Sequence, residues 1–452
     1  METIISPTRP VPVHPGLPFI GNTLEYVRGP LPFLNRLQEQ YGQSRAVRIA
    51  LGGLTTILLL KPEETRYVLQ ENNRNYGRGR SFAVLRQFLG NGLLTSEGDF
   101  WRRQRRLAQP AFHKQKLAIL AETMIDEAVA WADRLQQADH KGPVNVTSAT
   151  IDATLRIVSR TLFGSVLTDG VDNLSNALAS LNHLANNTLI NPIRLPKWIP
   201  TPNQRAFRRA TETVDRLIHQ IIQTRRASAE SHDDLLDMLL RAEDEETSER
   251  MSDQQLRDEV VTLFIAGHET TATSLAWTLH LLANHPDVQA RAKAEVETVL
   301  AERDRPSPED LRSLTYLMQI IQESLRMYPP AWAMTRLSLG PDQLGDYAIK
   351  AGDGILLSPY VLHHDPASWP EPEQFNPDRF LPERVKERHP YAFLPFGGGP
   401  RLCIGNQFAL MEMQVMLAVL LQRFIIKPTG QPIDAQPLIT LRSKQAVTVF
   451  LS

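Results

Sequence analysis

What this chain lacks narrows it first. One cysteine in 452 residues excludes an internal disulfide framework and fits a reducing compartment, so Cys403 acts alone or not at all. Charge of either sign is not in excess: 49 Lys and Arg against 50 Asp and Glu leave −1, and no global field draws in nucleic acid or anionic lipid. No apolar run approaches the ~20 residues of a membrane span. The first 18 residues carry five prolines and no signal-peptide pattern. Neither a Gly/Ser-rich linker nor a low-complexity tract nor an internal repeat divides the sequence. A length that suits about three domains therefore reads as one body over 1–452. With 42% hydrophobic and 22% charged residues, a large core is within reach and disorder is excluded for most of the chain. The cytoplasm is the expected location.

Mostly helical patterning is present, with little strand. β-rich stretches are expected at about 45–61, 336–358 and 437–451, the first a hairpin around Gly52-Gly53 and the last a terminal hairpin. Helices are expected over about 62–328 and 404–424, interrupted by Gly- or Pro-rich loops near 77–98 and 191–203. The longest starts at Ser252-Asp253-Gln254-Gln255, a capping box, and runs to Asn284 before His285-Pro286, about 45 Å of helix. The acidic run 243–246 reads as a solvated loop without function.

Cys403 ends a fixed, non-helical path of three glycines and a proline, Phe396-Gly397-Gly398-Gly399-Pro400-Arg401-Leu402-Cys403-Ile404-Gly405. After it, Phe408, Met411, Val415, Leu417 and Leu421 recur at helical intervals. The thiol thus sits at or beside a helix N-terminus, where unpaired amides favour a thiolate. An isolated cysteine is commonly a small buried hydrophobe. Yet Phe396, Gly399, Arg401, Cys403 and Gly405 together match Phe-x-x-Gly-x-Arg-x-Cys-x-Gly, which resembles the haem-binding loop of the cytochrome P-450 family.

Two further motifs strengthen the resemblance. Inside the long helix, Ala266-Gly267-His268-Glu269-Thr270-Thr271 places an acid and two hydroxyls in an apolar setting, and Gly267 costs about 1 kcal/mol there relative to alanine. Read alone, Glu269 and Thr270 face solvent, with Thr270 bonded to a carbonyl one turn back. Ala266-Gly267-x-Glu269-Thr270 is similar to the family's oxygen-activation motif, in which Gly267 leaves room for a ligand and Glu269 and Thr270 relay protons through waters. Glu323 and Arg326, three apart on one helix face, make a weak pair by themselves. In the family they join Arg379, from Phe375-Asn376-Pro377-Asp378-Arg379-Phe380, in a structural triad that locks the cysteine loop; Asp378 stands where Glu is frequent.

The resemblance covers nearly the whole chain, from the Pro/Gly segment at 14–22 onward. It implies a mainly α fold with a small β region, and haem b between the long helix and the Cys403 loop, with Cys403 the iron ligand. Trp101, Arg105 and Arg401, and by position Arg336 and His363, are the expected propionate contacts. Phe82, Leu85, Phe88, Phe264, Ala266, Gly267, Ala331, Trp332 and Met334 are the expected pocket, mostly apolar and suited to a fatty acid, terpenoid or steroid-like substrate. Arg86 reads as a surface arginine. Arg102, Arg103 and Arg106 form either a solvated face or a basic patch for an acidic electron donor. No flavin or nicotinamide region follows, so the implied activity is insertion of one atom of O2 using a separate ferredoxin or flavodoxin with its reductase, by a monomer without a membrane anchor. Alternatives are a peroxide-driven or isomerising relative, a non-catalytic haem-thiolate carrier or sensor, and a haem-free protein with Cys403 as nucleophile.

Overall fold

Alternating side chains explain the five-stranded sheet. Ile57, Leu59, Ile355 and Leu357 enter one apolar core with Val68, Leu69, Tyr76, Tyr391 and Leu394. Leu58, Leu60 and Leu356 enter a second core with Leu31, Phe33, Leu34, Leu37 and Trp332. Successive residues of one strand point to opposite faces, so this sheet is covered on both. In the computed structural model its order is Ala46–Leu51, Leu54–Leu59, Gly354–Leu357, Met334–Ser338 and Tyr76–Arg78. Neighbours are antiparallel except the second and third, which run parallel with Ile57 opposite Ile355. Gly52 and Gly53, at φ +59° and +76°, turn the first pair, the left-handed geometry that two-residue hairpins demand.

The structure describes residues 9–79, 82–138, 142–164, 173–174, 177, 180–181, 184, 201–227 and 234–452, without the side chains of Val84 and Phe88. Most of the loop expected at 191–203 and the Phe88 side chain therefore lie outside the described residues. Chain contacts divide into two units, one of residues 1–82, 322–403 and 435–442 and the other of 83–321, 404–434 and 443–452. The first holds the five-stranded sheet and the Cys403 loop; the second holds most of the helices.

Within the helical unit, the Asp253–Asn284 helix starts at the expected capping box, with Ser252 and Gln255 each bonding the other's backbone. Almost every face of it is buried, which explains its continuous apolar run. It packs on the Val146–Phe163 helix, whose Thr150 and Thr154 donate to its Ala272 and His268 carbonyls at 3.1 Å each. The expected terminal hairpin is not formed. Thr448–Leu451 lies between Val144–Asn145 and Ile426–Pro428, while Leu441–Ser443 pairs with Ala435–Pro437. A short apolar run signals a strand, but it does not name its partner.

No helix among the described residues is long and apolar enough to cross a membrane.

Candidate functional site

The sheet-bearing unit presents the cysteine on a loop whose path is fixed by its glycines. Gly397 and Gly399 have φ +73° and +65°. A Cβ on Gly399 would stand 1.9 Å from the Leu69 carbonyl oxygen, so this position needs both the left-handed backbone and the missing side chain. On Gly398 a Cβ would stand 2.8 Å from the Tyr391 ring, whose hydroxyl donates to Gln70 at 2.7 Å. The Cys403 amide donates to the Phe396 carbonyl at 3.0 Å and closes the loop, leaving Cys403 exposed. Two residues beyond Gly405's predecessor the chain becomes the Asn406–Arg423 helix, slightly later than the expected start.

Behind the loop stands a fully buried charge network. Glu323 and Arg326 are both 0% exposed and joined by two hydrogen bonds of 2.7 and 2.9 Å. Arg379 approaches the same carboxylate at 3.3 Å, and the Asn376 amide donates to it at 3.0 Å. The remaining guanidinium N–H groups of Arg379 hold the Pro370 and Glu371 carbonyls at 2.6 and 2.7 Å. Burial lowers the Arg379 pKa, and Glu323 opposes that shift.

His363 needs a correction. Its expected role was a carboxylate contact, but both ring nitrogens are taken by backbone: Nε2 accepts from the Leu394 amide at 2.8 Å and Nδ1 therefore donates to the Arg326 carbonyl at 3.1 Å. Burial pushes its pKa well down, which keeps it in that neutral tautomer. Arg326 returns a bond to the His363 carbonyl at 2.9 Å. From Leu394 the path continues, since the Gly397 amide donates to the Leu394 carbonyl at 3.1 Å. His363 thus ties the Glu323–Arg326 pair to the cysteine loop. Phe393, Trp369 and Phe380 pack around it, with the Arg388 guanidinium 3.6 Å over Trp369.

Arg336 is buried and stands directly across the sheet from Arg78. The register therefore sets two cations side by side on neighbouring strands. Sequence reading missed Arg78, because only the strand register brings it to Arg336. Arg401 sits half-exposed in the loop, and Met334 lies 3.6 Å from where a Gly397 Cβ would be. Trp332 is packed in the second core with its indole N–H on the Leu438 carbonyl at 2.9 Å, which removes it from the expected pocket lining. Ala331 is half-buried, and the Phe82 ring lies 4.4 Å beneath the Arg78 guanidinium.

In the helical unit the expected proton-relay residues lie on the long helix. The Thr270 hydroxyl donates to the Ala266 carbonyl at 2.6 Å, and Thr271 to that of Gly267 at 3.0 Å. Glu269 is buried, and Ala266 is exposed in the middle of this otherwise buried helix. Gly267 also needs a correction: a Cβ there would meet Val158 at 2.9 Å, so the glycine lets the Val146–Phe163 helix approach instead of making room for a ligand. Phe264 is 1% exposed against Phe163, so it too belongs to the interior packing. Leu85 is half-buried, and Arg86 donates to the Thr95 carbonyl at 2.5 Å. Trp101 and Arg105, both half-buried, share one face of the Gly98–Ala108 helix.

The other arginines of that helix do not form a basic patch. Arg102 pairs with Asp99, Arg103 with Glu249, and Arg106 with Asp244 and Glu246, the last two at 2.8 Å each. Of the acidic run only Asp244 departs from the expected solvated loop: it is buried, holds Arg106 and accepts from the Glu246 and Thr247 amides, while Glu243, Glu245 and Glu246 are exposed.

Among the described residues no three His, Cys, Asp or Glu side chains converge as a metal site. One exposed sulfur on a rigid loop, with paired cations on a strand edge, instead fits a metal carried by its own macrocycle with acidic substituents, as haem is.

The family pattern described as Cytochrome P450 matches residues 11–450. Cyclooctat-9-en-7-ol 5-monooxygenase of Streptomyces melanosporofaciens is 37% identical over 414 residues, 91% of this chain and 88% of that protein. Cyclooctatin synthase of the same organism is also 37% identical, over 94% and 92% of the two chains. The crystal structure of the cytochrome P450DA heme domain superposes with a TM-score of 0.88 at 28% identity, covering 99% of this chain and 98% of that one.

Proposed function

The chain belongs to the cytochrome P450 family, an oxidoreductase family whose members carry haem, and from that premise we propose that it inserts one oxygen atom into a cyclic terpenoid. When bound, haem b supplies reductive activation of O2 and oxygen transfer to an unactivated C–H bond. Cys403 Sγ would ligate its iron and Arg336, Arg78 and Arg401 would answer its propionates, a role the family resemblance gives also to Trp101 and Arg105. The hydrogen bond from the Cys403 amide to Phe396 and the bonds through His363 to the Glu323–Arg326 pair keep that sulfur from moving as charge builds on it.

Proton delivery belongs to the long helix. Thr270 Oγ1 donates its hydrogen to the Ala266 carbonyl at rest and turns about χ1 to pass a proton on, which Glu269 would replace through intervening waters. Leu85 and Ala266 of the helical unit, and Ala331 and Met334 of the sheet-bearing unit, are uncharged and apolar, which supports an apolar substrate held by burial and shape. Two relatives 37% identical over more than nine-tenths of this chain bear names built on cyclooctatin, the first acting by name on a ring alkenol, and this supports a cyclic terpenoid over a fatty acid. Electrons come from a separate ferredoxin or flavodoxin with its reductase.

The observation that carries this reading is the exposed Cys403 sulfur on a loop braced by buried charge. Its test is reconstitution with a ferredoxin and reductase, screening cyclic terpenoids and fatty acids side by side. Terpenoids are expected to shift the haem to high spin and yield a mono-oxygenated product. A response to fatty acids alone, or product only with added peroxide, contradicts it.

A further inference from the structure

Hydroxyls crowd the central turn of the Asp253–Asn284 helix, and one of them comes from another helix. The carbonyls of Ala266, Gly267 and His268 are consecutive, and each accepts from a threonine: Thr270 at 2.6 Å, Thr271 at 3.0 Å and Thr154 at 3.1 Å. The bonds from Thr270 and Thr271 lie within the helix, and such back-bonding loosens and bends it locally. Thr154 belongs to the Val146–Phe163 helix. Thr150, one turn earlier on that helix, donates to the Ala272 carbonyl, one turn later on the long helix, at 3.1 Å. One turn the other way, Val158 stands where a Cβ on Gly267 would meet it at 2.9 Å. Positions 150, 154 and 158 therefore form one stripe of helical spacing, laid antiparallel along the long helix.

Neither threonine needs the long helix to satisfy its hydroxyl. Thr154 has the Ile151 carbonyl of its own turn at 3.3 Å, and Thr150 has that of Thr147 at 3.2 Å. Both are 0% exposed, and both stand nearer to the carbonyl across the interface. What His268 gains follows from the planar peptide: its C=O and the N–H of Glu269 are one rigid unit. Holding that carbonyl fixes the plane from which Glu269 and Thr270 start. At about 100° per residue, position 268 lies roughly half a turn around the helix from 266 and 270, so it is held from behind while Ala266 stays exposed. We propose that Thr154 is a positioning residue whose hydroxyl anchors the His268–Glu269 peptide and so aims the turn from which Thr270 delivers its proton. This rests on the function proposed above for Thr270; Thr154 touches neither substrate nor haem in this reading.

Three variants test it in the haem-loaded enzyme. Thr154→Val keeps the shape and removes the donor, Thr154→Ser keeps the donor, and Thr150→Val removes the neighbouring bond to Ala272, beyond the relay residues. Product formed per electron pair should fall about two- to tenfold in Thr154→Val, the range set by losing one neutral hydrogen bond, and be kept in Thr154→Ser and Thr150→Val. A merely structural role would move Thr154→Val and Thr150→Val alike, since each loses one buried bond between the same two helices. A second readout needs no turnover. With the histidine carbonyls labelled with carbon-13, the infrared difference between wild type and Thr154→Val should show one histidine carbonyl band moving to higher frequency, and Thr150→Val should show none. Coupling as tight as wild type in Thr154→Val, equal uncoupling in Thr150→Val or Thr154→Ser, or an unmoved histidine band would overturn the proposal. Full coupling in Thr270→Ala would instead count against the proposed function, leaving the histidine band to judge the bond from Thr154.

Discussion

Two buried acids in this molecule are treated in opposite ways. Glu323, in the sheet-bearing unit, receives two bonds from Arg326, one from the Asn376 amide and the approach of Arg379. Glu412, in the helical unit, receives none from any cation. Full compensation makes the first cluster a brace: each group is fixed by several others, and its bonds lead through His363 to the cysteine loop. Missing compensation leaves the second favouring its neutral acid, because burial raises its pKa well above the ordinary value. Several partners fix the first acid in place; burial alone sets the protonation of the second.

Breaking the brace should have the largest effect. Glu323→Ala strands Arg326 without its anion, and removal of one partner of a buried pair costs about 3–5 kcal/mol. Denaturant unfolding should show that loss, together with release of haem; a loss under about 1 kcal/mol would place this pair among ordinary surface ion pairs. Next comes Gly399→Ala, which forces a side chain into a left-handed backbone and against the Leu69 carbonyl. It should cost about 2–3 kcal/mol, and a melting temperature equal to wild type would mean the loop is not clamped there.

On the proton-handling side, Thr270→Ala should leave electron consumption intact and divert it to peroxide, lowering coupled product about tenfold or more. Quantifying peroxide against product checks this, and undiminished coupling would remove Thr270 from the relay. The smallest effect at neutral pH belongs to His364→Gln. Burial holds His364 at about 4 against an ordinary 6.5, so the neutral ring contributes stability above 6.5 that is lost as pH falls toward 4. The variant should melt like wild type at pH 7.5 and more gently with acid below 6.5; parallel acid limbs would show that His364 is not the titrating group.

Local pattern revealed the parts of this molecule whose partners are near in sequence. The Gly52-Gly53 hairpin, the Ser252–Gln255 box and the Glu323–Arg326 pair each close within a few residues, so periodicity and turn chemistry suffice. What was hidden depends on partners far along the chain. Arg106 meets Asp244 across 138 positions, which buries one acid of a run that is otherwise solvated as expected. His363 reaches Leu394, and Arg78 faces Arg336 only because of strand register. Gly267 was legible as costly, yet its compensation by Val158 needed the neighbouring helix. Glu412 sits in a helix whose polar residues look like any others until packing encloses them.

The most direct measurement is the carbon monoxide difference spectrum of the reduced, haem-loaded protein beside its Cys403→Ser variant. Wild type should give the red-shifted band of thiolate ligation, and the variant should lose it while keeping haem. A band unchanged by the substitution would contradict the assignment of Cys403 as the axial ligand.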